Sequence, residues 1–392
     1  MGNLEARKLD AAEKDAFPAV FGAAFLEDTE ADLTRFRPLV PFITALGVCD
    51  GAEMIGVAGH YDLTITLPGG RSSPLAGVTT VGVRPGHRRR GVLSSLMRRQ
   101  LDDLRESGVA LAALYASEGA IYGRFGYGMA TFENHLSLPT GARFRADVEI
   151  DERPVREVAR DRALPVIHEQ HARVAADRIG WTGRGDGSWE PLEHMRQGRQ
   201  GRNPSRYALH PAGHVIYRPT QRWTELGPDY QLEVTHLVAE TPQAYAALWR
   251  YLTEFDLVRT VFWGKAAINE PVVHLLTDPR SAEQRIVDGL WLRLIDVPAA
   301  LAARELPGDV VLEVTDSFCP WNEGRWRLSG ESTTAPAQLA LDVADLAAAY
   351  LGGTTLLQLA AAGRVRELEP GALTAASRAL ATDLPPSCPD AF

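Results

Sequence analysis

Cysteine is scarce in this chain: 392 residues hold three, Cys49, Cys319 and Cys388. An odd, widely spaced set frames neither a disulfide scaffold nor a zinc site, so the thiols read as ordinary and reduced. No apolar run reaches the roughly 18 residues needed to cross a bilayer, and the opening MGNLEARKLD has no signal-peptide core. The expectation is a cytoplasmic protein without a membrane partner. Positive charge is also short, with 41 Lys and Arg against 50 Asp and Glu and a net charge of -9. That balance argues against a nucleic-acid partner. Metal-ligand spacing is missing as well. His168-Glu169-Gln170-His171 is one residue short of H-E-x-x-H, and Pro211 and Gly213 between His210 and His214 oppose the helix that an i,i+4 pair needs. No third ligand cluster joins them, so no metal is expected.

What is present is apolar content, 45% of a chain long enough for two or three domains. The most informative stretch is VTTVGVRPGHRRRG, residues 78–91, where a β-rich run ends in a basic loop broken by Pro and Gly and then opens a helix. That order builds an anion site. Amides of Arg88 to Gly91, unpaired where the helix begins, point at a pyrophosphate while the helix dipole favours its charge. Gly86 and Gly91 carry no Cβ and let backbone approach phosphate oxygens. From Val92, the residues Leu93, Leu96, Met97, Leu101 and Leu104 keep helical spacing until Gly108. A second basic, glycine-rich run, Arg196-Gln197-Gly198-Arg199-Gln200-Gly201, follows no β-branched strand and is not read as another site. Arg184-Gly185-Asp186 is a chance tripeptide in a Gly-rich loop.

Three compositional blocks follow along the chain, with expected domains at 1–148, 149–288 and 289–392. In the first, a helix near Asp10 to Leu26, strands near Met54 to Tyr61 and Val78 to Val83, the helix from Val92 and a buried strand Leu111 to Ala116 imply an α/β layer with a mixed sheet. The second mixes helical patterns at Arg156 to His171 and Gln243 to Phe255 with strand patterns at Val215 to Tyr217, Leu232 to Val238 and Val272 to Leu276. In the third, Leu290 to Ile295, Val310 to Val314 and Arg325 to Leu328 read as strands, and Pro298 to Arg304, Val343 to Leu351 and Thr355 to Ala362 as helices.

The basic loop resembles the acyl-CoA site of GCN5-related N-acetyltransferases, whose consensus is Arg or Gln, two residues, Gly, one residue, then Gly or Ala. Arg88-Arg89-Arg90-Gly91-Val92-Leu93 keeps the first Arg, with shifted spacing and Leu93 in place of the small residue. It is more similar to the variant of the Enhanced Intracellular Survival (Eis) acetyltransferases, V-x-V-x-P-x-x-R-R-R-G-x-L, which Val81, Val83, Pro85, Arg88 to Arg90, Gly91 and Leu93 reproduce. Ser117-Glu118-Gly119 and the run Ile121-Tyr122-Gly123-Arg124-Phe125-Gly126-Tyr127-Gly128 resemble a second block of that family.

The resemblance implies tandem GCN5-related acetyltransferase folds, the second degenerate, followed by a sterol-carrier-protein-like domain, assembled as a homo-hexamer. It implies acetyl-CoA as co-substrate, entering between the splayed central strands Val78 to Val83 and Leu111 to Ala116. The expected contacts are Val81, Gly82, Val83, Arg88, Arg89, Arg90, Gly91, Val92, Leu93 and Ser117: amides of Val81 and Val83 on pantetheine and the thioester carbonyl, guanidinium groups of Arg88 and Arg89 on phosphates. The acceptor is expected to be a primary amine of a small cation such as an aminoglycoside or polyamine. Tyr122 matches the family's catalytic tyrosine, a phenol that stays protonated at neutral pH and can donate to the departing thiolate, with Tyr127 its rival five residues on. Phe392 matches the terminal residue whose carboxylate enters the family's active site, where it orients the amine or relays its proton. Glu27, Asp28, Glu30 and Asp32, after Phe21 and Phe25, read either as the mouth for a cationic substrate or as a solvated helix-capping segment. A second hypothesis, a non-catalytic acyl-CoA- or lipid-binding protein, is disfavoured by the intact Tyr122.

Overall fold

A computed structural model describes residues 4–27, 30–183 and 203–392. Its strands are, in order, β1 (Arg7–Lys8), β2 (Thr44–Asp50), β3 (Glu53–Thr66), β4 (Ser72–Val83), β5 (Leu111–Tyr115), β6 (Gly128–Met129) and β7 (Phe132–Pro139). The middle of the chain adds β8 (Arg156–Val158), β9 (Thr182–Gly183), β10 (Arg206–His210), β11 (Gly213–Thr220), the hairpin β12 (Trp223–Thr224) and β13 (Gly227–Pro228), β14 (Tyr230–Ala239), β15 (Val258–Ala266), β16 (Glu283–Asp288) and β17 (Leu290–Leu294). Four more, β18 (Val311–Thr315), β19 (Gly324–Arg327), β20 (Leu339–Asp342) and β21 (Val365–Glu367), close the series.

The first sheet runs β1-β2-β3-β4-β5-β17-β6 and the second β8-β10-β11-β14-β15-β7-β16. Place by place the two follow one plan. Every neighbour is antiparallel except β4 with β5 and β14 with β15, the fourth and fifth places of each sheet. The sixth place is exchanged. After β6 the chain crosses into the second sheet as β7, and after β16 it returns to the first as β17. Sheet membership therefore crosses both expected boundaries, at 148 and at 289. The repeat, invisible in residue identities, is plain in topology.

Local sequence accounts for most elements. The Phe17–Phe25 helix has Pro18 in its first turn, where the missing N–H costs nothing, and stops at Leu26, which turns left-handed at φ 60°. Asp296 caps the Val297–Arg304 helix through the Ala299 amide, and Thr355 with Gln358 forms a capping box on Leu356–Ala361. Two expectations are corrected. Arg156 to His171 is not one helix: Arg156–Val158 joins the second sheet as β8, and the helix runs Arg160–Ala175. Val272 to Leu276 is not a strand but a helical turn, Val272–Leu275, because four apolar residues around His274 fit either period and Pro271 has the φ that starts a helix.

The third sheet, β19-β18-β20-β21, shares its core with the first. Leu312, Leu339 and Leu346 lie in one cluster with Leu63, Leu292 and Phe392. A buried ion pair fastens the two units: Arg293 on β17 reaches Asp316 at 2.5 Å, and Asp316 also accepts from the Cys319 amide and Asn322 Nδ2, each at 2.9 Å. Gly128 is needed at this joint, since any Cβ there would run into the Ala344 carbonyl of the Val343–Tyr350 helix.

Candidate active site

β4 and β5 are hydrogen-bonded only at Ala76–Ala112 and Gly77–Ala113. Beyond Gly77 they part, while β4 stays paired to β3 as far as Val83 through a register shift opposite Val57 and Gly59. Thr80, at φ 51°, marks the bulge that turns the strand, a device that re-aims backbone groups. The edge of Val78 to Val83 is thereby left facing a wedge. Gly82 serves a neighbour as well: the Phe17–Phe25 helix lies across it, with Ala24 Cβ 2.8 Å from where a Gly82 Cβ would stand.

At the end of β4 the chain turns through Pro85–His87 into the Val92–Glu106 helix. Arg89 at φ 61° and Gly91 at φ 84° twist the loop, and no side chain caps the helix. The first internal bond runs from the Ser95 amide to the Gly91 carbonyl at 3.0 Å. Among the described residues the amides from Arg88 to Ser94 take no acceptor, so they form an open row of donors at a positive dipole end. Val92 buries its side chain over Gly56 and leaves its amide outward. Arg88 and Arg89 are exposed; Arg90 is held away by Asp50 at 2.8 Å. Ser117 is exposed on the loop that follows β5.

Tyr122 ends the short Gly119–Tyr122 helix and is buried in one cluster with Val78, Val81 and Leu93. Val81, one of the two residues expected on the thioester, thus borders the same cluster as the expected acid. Burial, aided by the Glu118 charge, pushes the Tyr122 phenol up to about 12. Its ring meets Tyr127 edge-on at 5.8 Å. The Tyr127 hydroxyl is buried and has no hydrogen-bond partner among the described residues. The segment between them rests on Arg293, whose Nη1 donates to the Gly126 carbonyl at 3.4 Å.

Phe392 is buried against Gly77, the last residue of β4 paired to β5, where a Cβ would stand 3.0 Å from its ring. Tyr115, the last residue of β5, packs tilted against the same ring at 5.5 Å and donates from its hydroxyl to the Asp390 carbonyl at 2.6 Å. Thr182 Oγ1 donates to Asp390 Oδ2 at 2.8 Å, and the Ser387 amide to the Ile179 carbonyl at 3.0 Å. The end of the chain is seated at the point where the two strands separate. Gly77, Tyr115 and Asp390 escaped the sequence reading; a glycine in an otherwise β-branched run was the one available signal.

Glu30 accepts from Arg37 at 2.9 Å, and Phe21 packs on Phe25 at 4.5 Å and edge-on to Phe36 at 4.7 Å. Asp28 lies outside the described residues, as do Arg184 to Asp186 and Arg196 to Gly201. Among the described residues no group of three or more His, Cys, Asp or Glu is placed to hold a metal ion. The histidines form a buried chain instead: His214 bonds Gln170 at 2.7 Å and His236 at 3.0 Å, and His236 stacks on His171. Among the described residues no helix is long and apolar enough to cross a membrane.

Comparison with known proteins agrees with this geometry. Residues 5–130 and 180–294 each match a family described as an acetyltransferase (GNAT) domain, and residues 297–389 match the sterol carrier protein domain. The chain is 41% identical to an uncharacterized N-acetyltransferase of Streptomyces avermitilis, covering 96% of both chains. It is 35% identical to the N-acetyltransferase Eis of Mycobacterium tuberculosis, over 95% of this chain and 96% of that one. The crystal structure of Eis1 from Mycobacterium abscessus superposes with a TM-score of 0.86 at 33% identity, covering 99% of this chain and 100% of the other. The chain is an N-acetyltransferase with two GNAT domains and a sterol-carrier-type domain, and it belongs to the Eis family.

Proposed function

We propose that the protein transfers the acetyl group of acetyl-CoA to primary amines of a small cation, an aminoglycoside or polyamine, at more than one position, by direct attack in a ternary complex. The observation that carries the reading is the continuity of three parts: an open row of amides from Arg88 to Ser94, the edge of β4 that β5 leaves unpaired, and Tyr122 in one apolar cluster with Val78, bordered by Val81 and Leu93. Diphosphate oxygens match the row of donors and the exposed Arg88 and Arg89. The edge of β4 offers amides to pantetheine and, at Val81 and Val83, to the thioester carbonyl as oxyanion charge develops. A phenol held near 12 remains protonated and acts as acid to the leaving thiolate.

The carboxylate of Phe392, whose ring is seated where the strands part, draws the cationic amine and passes its proton to water. It is too weak a base to strip an ammonium outright, so its work is orientation and relay. Glu27, Asp28, Glu30 and Asp32, which follow Phe21 and Phe25 in the sequence, are the candidate mouth. The hexamer belongs to the same reading, and light scattering on the purified chain measures it. The decisive experiment is thiol release from acetyl-CoA with kanamycin-like and polyamine acceptors. Tyr122→Phe is expected to lower kcat by about tenfold or more with the acetyl-CoA KM unchanged. Undiminished turnover would remove Tyr122 from the chemistry.

A further inference from the structure

The second sheet repeats the arrangement that makes the first wedge. β14 and β15 are parallel and paired from Tyr230–Val258 to Val234–Trp263, and then part, as β4 and β5 do past Gly77. At their diverging ends lies a cavity of about 310 Å³, lined by Leu237, Val238 and Lys265 from the strands and by Trp181, Tyr245 and Trp263. The diphosphate grip is missing there. The Pro242–Thr253 helix begins with a residue that has no N–H, and Thr241 Oγ1 takes the Ala244 amide at 3.2 Å. Among the described residues this wedge has room for a small molecule and no open helix start to grip a coenzyme.

Its charge is set by three groups. Glu270 is buried, accepts from the Tyr245 hydroxyl and from the Ala267 amide at 3.3 Å, and is pushed by burial up to about 7. Lys265 is balanced by Glu133 at 2.6 Å. Arg178, exposed at the lining, forms no ion pair or side-chain hydrogen bond among the described residues; its charge acts on Glu270, and while burial keeps Glu270 protonated the rim is positive. The remaining wall is the end of the chain: Leu384, Ser387 and Pro389 line the cavity, and Trp181 Nε1 donates to Ser387 Oγ at 3.3 Å. Lys265 also places its ammonium 3.6 Å over the Tyr115 ring that Phe392 packs against.

We propose that this second wedge binds a small aromatic monocarboxylate, its ring among Trp181, Tyr245 and Trp263 and its carboxylate on Arg178, and that occupancy repositions the tail that ends in Phe392. The site stands independently of the catalytic reading; the coupling rests on it. Titration calorimetry with 3-phenylpropionate measures the site without turnover. One site per chain is expected, weakened about tenfold or more in Arg178→Ala and lost in Ala239→Phe, which adds a ring to the wall. Phenethylamine, with the same ring and opposite charge, is expected to bind about tenfold more weakly still. Arg178 is exposed, so its truncation decides the matter even where Ala239→Phe fails to fold. No heat with 3-phenylpropionate, equal binding by Arg178→Ala, or equal or tighter binding of phenethylamine overturns the site. In acetyl-transfer assays, saturating 3-phenylpropionate is expected to move the acceptor KM about threefold, with no such shift in Arg178→Ala. An unmoved acceptor KM in protein shown by calorimetry to be loaded overturns the coupling, while absent turnover in unliganded protein speaks only against the catalytic reading.

Discussion

Replacing Arg293 by methionine should uncouple the third unit from the loop that carries Tyr122, and the size of the effect follows from the joint. Both partners are sealed, Arg293 at 0% and Asp316 at 1% exposure. With the guanidinium gone, Asp316 keeps two neutral donors, the Cys319 amide and Asn322 Nδ2, and loses its counter-charge where water does not reach. Removing one partner of a buried ion pair costs roughly 3–5 kcal/mol, because the survivor is stranded. At about 2.1 cal/mol/K of unfolding entropy per residue, a cooperative unit the size of this chain lowers its Tm by about 4–6 °C for that loss. The Gly126 carbonyl loses its donor as well, so kcat should fall several-fold while the acetyl-CoA KM holds. Adding Asp316→Asn to Arg293→Met removes the stranded charge and should recover more than half of the lost Tm. Calorimetry on both variants measures this. A single variant within about 1 °C of the parent, or a double variant no better than the single, would refute the argument that charge secures the joint.

Other outcomes test the remaining parts of the site. A short glycine-serine extension after Phe392 should abolish the carboxylate's contribution and lower kcat about tenfold at unchanged acetyl-CoA KM, and full activity would reject that role. The pH profile of kcat should show no alkaline fall from Tyr122 below about pH 10, since the phenol must be protonated and is held near 12; a fall centred between pH 8 and 9 would contradict a phenolic acid. Glu270 carries a sign that can be checked. Its folded value near 7 lies above the unfolded value of 4.5, so its contribution to stability is intact below pH 4.5 and is lost as pH rises through 7. Glu270→Gln should therefore gain up to roughly 3 kcal/mol relative to the parent at pH 8 and little at pH 4.5, and parallel Tm–pH curves would refute it.

The legible parts of this protein are those whose signal is local. The strand, basic loop and helix from Val78 to Glu106 lie in one continuous stretch, and turn chemistry, glycine placement and helical period all agree there. The elements around Tyr122 were legible by resemblance for the same reason, since the motif is contiguous. The exchange of β7 and β17 was not. Leu290 to Leu294 reads as the same buried strand whichever sheet receives it, because periodicity reports burial and not partners. The seat of Phe392 was hidden too: Gly77 and Tyr115 come from different strands and meet Asp390 only in three dimensions. Tyr122 and Tyr127 differ in burial, 7% against 1% exposed, a difference that five residues of contiguous motif do not display.

The crossing of β7 and β17 has a consequence for how the protein is made. The fifth strand of the first sheet waits for a neighbour, Leu290 opposite Tyr115, that leaves the ribosome about 175 residues later. Until then a nascent chain displays raw strand edges on both halves, and neither half can be matured, excised or evolved alone. Split genes encoding the two halves should yield insoluble pieces apart and active protein when co-expressed, so that the pair behaves as a clasp, closed only when both hooks are present.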